Sequence, residues 1–126
     1  MAGLSRKFLT VDGIEYSYFE RAGTVTTDSS GRSREPATLL FLHGFTANKT
    51  MWMVMSKYLP KEWRIVMLDM PGHGESSFKP NDDYSALGLA KKIHSVRESV
   101  IPLEYCWPPK LSMSMELKEP LYPLLP

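Results

Sequence analysis

The chain has 126 residues, 43% of them hydrophobic and 23% charged, which is the composition of a soluble globular protein no larger than one small domain. Collagen-like, wholly disordered and disulfide-rich classes are therefore excluded. Fifteen Lys and Arg against fourteen Asp and Glu leave a net charge of +1, so the sequence predicts no nucleic-acid partner.

Cysteine content and hydropathy limit the cellular compartments and the cofactors that are compatible with this sequence. Cys106 is the only cysteine, which excludes an intrachain disulfide and a Cys-rich zinc site and is compatible with a reducing compartment. No apolar run is long enough to span a bilayer, and the N-terminus has no secretory signal region. We expect no transmembrane segment, metal or cofactor, and a location in the cytoplasm or peripheral to a membrane, without secretion.

The first predicted elements form a β-hairpin. Residues 7–11 and 14–19 are strand-like runs separated by Asp12-Gly13, a dipeptide that favours the positive φ angles of a two-residue turn. Residues 21–36 are rich in Gly, Ser, Thr and charges and lack periodicity, which predicts an exposed loop.

Two apolar runs predict buried strands. Residues 37–42 end at His43-Gly44, and residues 63–68 end at Asp69; both are short and continuous, as in strands buried on both faces of a parallel sheet. Between them, Asn48 or Thr50 can cap a helix that ends at Pro60. Its apolar residues recur at three-to-four spacing: Met51, Val54, Met55, Tyr58 and Leu59.

A second helix is predicted from about residue 83. Its apolar face comprises Ala86, Leu89, Ala90, Ile93, Val96 and Val100. A hairpin followed by strand, helix, strand and helix indicates an α/β protein with a growing parallel sheet. We assign residues 1–100 to this domain and residues 101–126, which hold six of the ten prolines and no glycine, to an irregular, disordered tail.

The segment LLFLHGFT, residues 39–46, is the first candidate functional element. Gly44 allows a sharp turn after the strand, so that the N–H of Phe45 can point into a cleft. Such an N–H can stabilise an oxyanion. An ordinary strand-to-helix turn is the alternative interpretation.

The segment DMPGHGESS, residues 69–77, is the second candidate. It follows a buried strand, and the carboxyl ends of strands are where α/β sheets place ligand sites. Asp69, His73 and Ser76 have the residue types of a catalytic triad, but triad members normally come from distant loops. We expect Asp69 instead to accept hydrogen bonds from amides of its own loop.

Together, HGFT after one strand and DMPGHGESS after the next resemble the N-terminal part of the α/β-hydrolase family, over about residues 6–99. The stretch from residue 42 to residue 77 is most similar to the monoacylglycerol lipase branch. The resemblance implies that the Phe45 N–H, after the His43-Gly44 turn, is one oxyanion donor, and that neither histidine is the catalytic base. It also implies a loop bordering the site: Thr46, Asp69, Pro71, Gly72, His73, Gly74 and Ser76.

The chain departs from that family at the nucleophile. In the family a serine in a G-x-S-x-G elbow lies on the next strand and is followed by an acid and a histidine. No G-x-S-x-G occurs here, the last glycine is Gly88, and Ser112 and Ser114 lack both glycines. We therefore expect no catalytic residue in this chain. We expect an incomplete α/β-hydrolase fold, and a function as an inactive, truncated relative of a serine hydrolase that acts on lipid esters.

Two alternatives from other classes stay open. The chain can be a non-catalytic module that binds a protein partner through an open sheet edge or through P-x-x-P patterns at Pro120, Pro123 and Pro126. It can also be an aberrant gene product.

Missing strands would leave the last buried strand, residues 63–68, with an unpaired edge, which predicts marginal stability.

The methionine-rich helix permits two interpretations. Met51, Met53 and Met55 with Trp52 can line a channel for an acyl chain, because Met adapts to flexible apolar ligands. Core packing is the favoured interpretation, since Met51 and Met55 fall on the predicted buried stripe.

Overall fold

The computed structural model describes residues 3–101, so the predicted tail from residue 102 onward lies outside the described residues. A four-stranded mixed sheet has the order β1-β2-β6-β5, and β3 and β4 form a separate two-stranded sheet. The elements are β1 (Leu4–Val11), β2 (Ile14–Arg21), β3 (Thr26–Thr27), β4 (Ser33–Arg34), β5 (Thr38–Leu42), a 3₁₀ helix (Lys49–Trp52), α1 (Met53–Ser56), β6 (Arg64–Leu68) and α2 (Ala86–Val100).

The leading hairpin is confirmed. Val11 pairs with Ile14 across the turn, and Asp12 and Gly13 have φ angles of 50° and 82°, as a two-residue turn between twisted strands requires. The loop predicted for residues 21–36 is largely exposed but contains the short β3–β4 pair.

The second buried strand is confirmed as β6, which lies inside the sheet. It pairs antiparallel with β2 on one side and parallel with β5 on the other, and Ile65, Val66, Met67 and Leu68 are all 0% exposed. The predicted parallel sheet is therefore correct only for the β5–β6 pair. The prediction of an unpaired edge on this strand was wrong, because the open edge belongs to β5.

The prediction that residues 37–42 are buried on both faces was also wrong. Four residues of β5 are only partly buried, and Leu42 is 39% exposed. The physical reason is position: among the described strands, β5 has a neighbour on one side only. A continuous apolar run does not distinguish a central strand from an edge strand.

The helix after β5 is shorter than predicted. Asn48 caps it as expected, since its side chain accepts from the Thr50 N–H at 2.9 Å, but only one 3₁₀ turn and one α turn follow. Trp52 packs on Phe41 with ring centroids 5.2 Å apart, whereas Met51 is 52% exposed. The core-packing interpretation of the methionines was wrong, because so short a segment presents little surface to the sheet.

The helix α2 covers the sheet with a narrower face than its pattern predicts. Ser85 caps it by accepting from the Gly88 N–H at 3.2 Å. Val96 and Val100 are buried in the core cluster that includes Tyr16 on β2 and Val66 and Leu68 on β6. Ile93 is partly buried and Ala86 and Ala90 are exposed, since a helix on one face of a small sheet buries a single stripe.

Glu20 joins three strands, and its ionisation predicts a loss of stability in acid. The carboxylate accepts from Lys7 Nζ on β1 at 2.5 Å and from Arg64 Nε on β6 at 2.8 Å. Burial raises the pKa of Glu20, but these hydrogen bonds and the two positive charges outweigh burial and hold the pKa below its usual value. A lowered pKa stabilises the fold above the unfolded-state pKa, and that contribution is lost as the pH falls through the folded-state pKa.

We expect Glu20→Gln to flatten the acid limb of the stability profile. The free energy of unfolding, measured by urea titration between pH 7 and pH 3, falls less in the variant than in the unaltered chain, by less than about 1 kcal/mol because the pair is partly solvated. Glu35→Gln, at an exposed position, is the control and keeps the unaltered profile. Parallel profiles for all three proteins would contradict the expected role of Glu20.

Candidate functional site at the ends of β5 and β6

The turn after β5 is held by a buried histidine. His43 is 7% exposed, and its Nε2 accepts from the Met70 N–H at 2.9 Å. Because Nε2 is the acceptor, the ring proton is on Nδ1, which lies 2.8 Å from Gly44 O and donates to it. Both ring nitrogens are thus engaged in joining the turn to the loop that follows β6.

The backbone N–H of Phe45 makes no hydrogen bond to any group within residues 3–101. The next residue, Thr46, has a φ of 66°, a left-handed conformation that reverses the chain here. The Phe45 side chain is 88% exposed, and its ring meets the edge of the His73 ring with centroids 5.9 Å apart. Phe45 thus lies on the turn after β5, and its role as an oxyanion donor stays a prediction.

A cavity of about 280 Å³ lies between this turn and the loop after β6. Most of its lining is apolar, and the two imidazoles of His43 and His73 lie 5.0 Å apart in its wall. The lining residues are His43, Gly44, Phe45, Met70, Pro71, His73, Tyr84 and Leu89.

Two of these lining residues carried no site signal in the sequence. Tyr84 precedes α2, and Leu89 belongs to the helical stripe that predicts core packing. They reach the cavity because α2 packs across the sheet beside the loop after β6. Local periodicity contains no information on that placement.

Asp69 is completely buried and organises the loop. Its carboxylate accepts from the Glu75 N–H at 3.0 Å, as expected for an Asp that binds amides of its own loop. It also accepts from the backbone N–H of Lys49 at 2.7 Å and from Lys49 Nζ at 2.6 Å. Lys49, 3% exposed, was missed by sequence reasoning, since a Lys after a helix cap is normally solvated.

Lys49 holds two carboxylates at once. Its Nζ lies 3.0 Å from Glu75 Oε1 in addition to Asp69, and 4.8 Å from the centroid of the Phe19 ring. The 3₁₀ helix after the Phe45 turn is thereby fastened to the loop after β6.

The loop residues Asp69, His73 and Ser76 do not form a catalytic triad. Ser76 Oγ donates to the backbone oxygen of Asp69 and accepts from the Ser17 N–H, both at 2.8 Å. His73 Nδ1 lies 3.0 Å from Pro71 O. Because neither side-chain contact required of a triad is present among them, these groups build the loop.

Two glycines shape the same loop. Gly72 and Gly74 have φ angles of 73° and 53°, which residues other than glycine rarely adopt. A Cβ at Gly74 would stand 2.5 Å from the Asp69 Cγ. The tight loop predicted from Pro71, Gly72 and Gly74 is thus present.

Among the described residues, no three His, Cys, Asp or Glu side chains converge as metal ligands.

These features agree with the comparisons with known proteins. The sequence model of a family described as alpha/beta hydrolase fold matches residues 37–101, just over half of the chain, and the chain belongs to that family. A membrane phospholipase A aligns structurally over 82% of this chain and 30% of its own, with 30% identity and a TM-score of 0.66. The Cif epoxide hydrolase of Acinetobacter nosocomialis gives 29% identity over 82% and 28%, with a TM-score of 0.66.

Curated relatives point to one branch of the family. Monoacylglycerol lipase abhd6-A of Xenopus laevis is 37% identical over 98 residues, which are 78% of this chain and 26% of the relative. The human monoacylglycerol lipase ABHD6 is 43% identical over 68 residues, or 54% of this chain and 20% of its own length. The chain thus spans about a quarter of the length of the curated relatives it matches, and it is a lipase-like relative of them.

Within residues 3–101, no helix has both the length and the apolar character needed to cross a membrane.

Proposed function

We propose that the cavity between the turn after β5 and the loop after β6 is the oxyanion-donor side of a site for lipid esters such as monoacylglycerols. One observation carries the proposal: the Phe45 N–H belongs to a turn that lines an apolar cavity, and it makes no hydrogen bond within the described residues. A donor left free in this way can hydrogen-bond to the oxygen of a tetrahedral intermediate during acyl transfer. The lipase relatives support a lipid ester as the ligand.

The surrounding side chains suit binding and orientation. Met70, Pro71 and Leu89 offer an apolar wall to an acyl chain. His43 uses both ring nitrogens for hydrogen bonds to backbone groups, so it positions the turn and does not remove a proton. Acyl transfer also needs a nucleophile and a base, and the G-x-S-x-G elbow that would supply the nucleophile is absent from the sequence.

We therefore propose that this chain by itself binds a lipid-like anion in the cavity but does not hydrolyse esters. In a titration with an alkylphosphonate followed by ¹⁵N NMR, the Phe45 amide is expected to shift downfield together with Leu89. The same protein should neither release product from a short-chain ester nor be labelled by a serine-directed fluorophosphonate.

A matched pair of variants localises the binding. Leu89→Trp fills the cavity and should weaken binding of the phosphonate at least about tenfold, a cost of roughly 1.4 kcal/mol. Leu87→Trp, on the exposed side of α2 with the native residue 64% exposed, should leave the affinity unchanged. An unmoved Phe45 amide at saturating phosphonate would refute the oxyanion role, and turnover by the unaltered chain would refute the inactivity.

A further inference from the structure

A second cavity, of about 370 Å³, lies between the β1–β2 hairpin and α2. Its lining comes from the hairpin turn at Asp12, from the segment around Lys79 and Asp83, and from the side of α2 that carries Gly88 and Lys91. Sites for small molecules have volumes of about 300–1,000 Å³. The cavity shares no lining residue with the cavity at the ends of β5 and β6, so a ligand here is independent of the proposed ester site.

Tyr16 supplies a buried hydroxyl to this cavity. The residue lines the cavity, is 1% exposed and packs in the core cluster with Val96 of α2. Burial raises the pKa of Tyr16 to about 12, and the neighbouring Asp12 and Asp82 add to the effect, so the hydroxyl keeps its proton. Within residues 3–101 it makes no hydrogen bond. Because a buried polar group without a partner costs free energy, this hydroxyl indicates an acceptor that the described residues do not supply.

The wall formed by the segment before α2 is held in place by its own contacts. Lys92 Nζ lies 3.3 Å from Asp82 Oδ2 and donates to the backbone oxygen of Asp83 at 2.8 Å. Gly88 permits this close approach, since a Cβ there would stand 2.3 Å from the same Asp83 oxygen. The wall is therefore formed before a ligand arrives, which lowers the cost of binding one.

Three charged side chains of the lining have no ion-pair partner in the part of the chain that the structure describes: Asp12, Lys79 and Lys91. They come from three different segments, the hairpin turn, the segment before α2 and α2 itself. The side chain of Lys79 lies over the hairpin turn, with Nζ 3.9 Å from the position of a Cβ on Gly13. The lining as a whole carries three Lys and three Asp, so its formal charges cancel and suit a ligand that bears both signs.

We propose that this cavity binds a small zwitterion in which a phosphate monoester is joined to an ammonium group. A phosphate monoester has three acceptor oxygens, which match the donors of Lys79, Lys91 and Tyr16. The ammonium group pairs with the carboxylate of Asp12. A phosphodiester has one terminal oxygen fewer, so the site selects a soluble monoester over the headgroup of a membrane phospholipid.

Two probes that differ only in the ammonium group test this assignment: O-phosphoethanolamine and ethyl phosphate. In isothermal titrations of the complete chain, O-phosphoethanolamine is expected to bind at least about tenfold more tightly than ethyl phosphate. Asp12→Asn should remove that difference. The variant keeps the hairpin, because Asn tolerates the φ of 50° at this position. Equal affinities of the two probes in the unaltered chain would overturn the pairing with Asp12.

Tyr16→Phe tests the buried hydroxyl with two readouts. It should weaken O-phosphoethanolamine binding at least about fivefold, since one donor to the phosphate is lost. The free energy of unfolding should not fall, because the hydroxyl that is removed has no partner to lose. Lys91→Gln should weaken both probes, whereas Lys61→Gln, at an exposed position outside the lining, is the matched control and should leave both affinities unchanged.

The remaining outcomes would overturn the proposal. On addition of O-phosphoethanolamine, ¹⁵N NMR is expected to show shifts of the Gly13 and Gly88 amides. Shifts confined to the turn at Phe45 would assign the phosphate to the other cavity, and no shift at millimolar concentration would exclude the site. Tighter binding of glycerophosphoethanolamine, a diester, would contradict the selection of a monoester. A loss of stability in Tyr16→Phe would show that the hydroxyl already has a partner. The ester site depends on the alkylphosphonate titration and is unaffected by these results.

Discussion

Replacing Lys49 by Met is expected to lower the free energy of unfolding by about 3–5 kcal/mol, because it leaves a buried carboxylate without its counter-charge. The side chains of Asp69 and Lys49 are 0% and 3% exposed, and Lys49 Nζ lies 2.6 Å from Asp69 Oδ2. Glu75 loses the same cation. Backbone N–H groups still donate to Asp69 in the variant, but they do not neutralise it.

Arg6→Met is the matched control, since Arg6 pairs with Glu75 on the surface. Their side chains are 57% and 44% exposed, so the expected loss is below about 1 kcal/mol. Urea unfolding followed by circular dichroism measures both variants. Adding Asp69→Asn to Lys49→Met removes the unpaired charge and should recover part of the loss. Equal losses in the two single variants would contradict the account of the buried pair.

A loss of this size is a large part of the stability of a small domain. Small domains have only about 5–15 kcal/mol of stability, and this sheet has an edge that the described residues leave uncovered. Lys49→Met is therefore expected to unfold at a much lower urea concentration than Arg6→Met. Because Lys49 fastens the 3₁₀ helix to the loop after β6, the cavity should collapse with it.

The second large effect is expected at Gly74, where alanine meets two obstacles. The φ of 53° is unfavourable for a side chain, and the new Cβ would stand 2.5 Å from the Cγ of Asp69. The carboxylate cannot retreat without breaking its contacts with Lys49. We expect Gly74→Ala to lower the free energy of unfolding by about 3 kcal/mol or more.

Gly31→Ala separates backbone strain from the clash. Gly31 has a φ of 83°, and a Cβ there meets no atom within 4 Å, so only the conformational cost of about 1 kcal/mol remains. The difference between the two variants in urea unfolding measures the displacement of Asp69. If Gly31→Ala and Gly74→Ala lowered the free energy of unfolding equally, the close contact between Gly74 and the Asp69 carboxylate would make no contribution to the effect.

Local patterns predicted the elements whose determinants lie close together in the chain. The turn at Asp12-Gly13 follows from the φ angles that these residues tolerate, and the Asn48 cap follows from a side chain two residues from the amide that it binds. The strand Arg64–Leu68 was evident from its unbroken apolar run. The end of β5 at Leu42 followed from the apolar run that stops at His43-Gly44.

Strand order and the contents of the site depended on distant contacts. The apolar runs of β5 and β6 are alike in sequence, yet β6 is buried between two strands and β5 is an edge strand. The difference arises because β2 of the hairpin pairs with β6 and not with β5. The sequence around Lys49 predicts a surface residue, because its partner Asp69 lies twenty residues further along the chain. Tyr84 and Leu89 join the cavity through the packing of α2.

The amino-acid sequence by itself thus determined the fold family, the two turns at the ends of the strands and the lack of a G-x-S-x-G elbow, since each is carried by residues adjacent in the chain. Only the tertiary structure decided which strand is open, which charge is buried beside Asp69 and which side chains enclose the cavity. The reason is physical: burial and charge pairing depend on neighbours in space, and the sheet brings together residues that no local period relates.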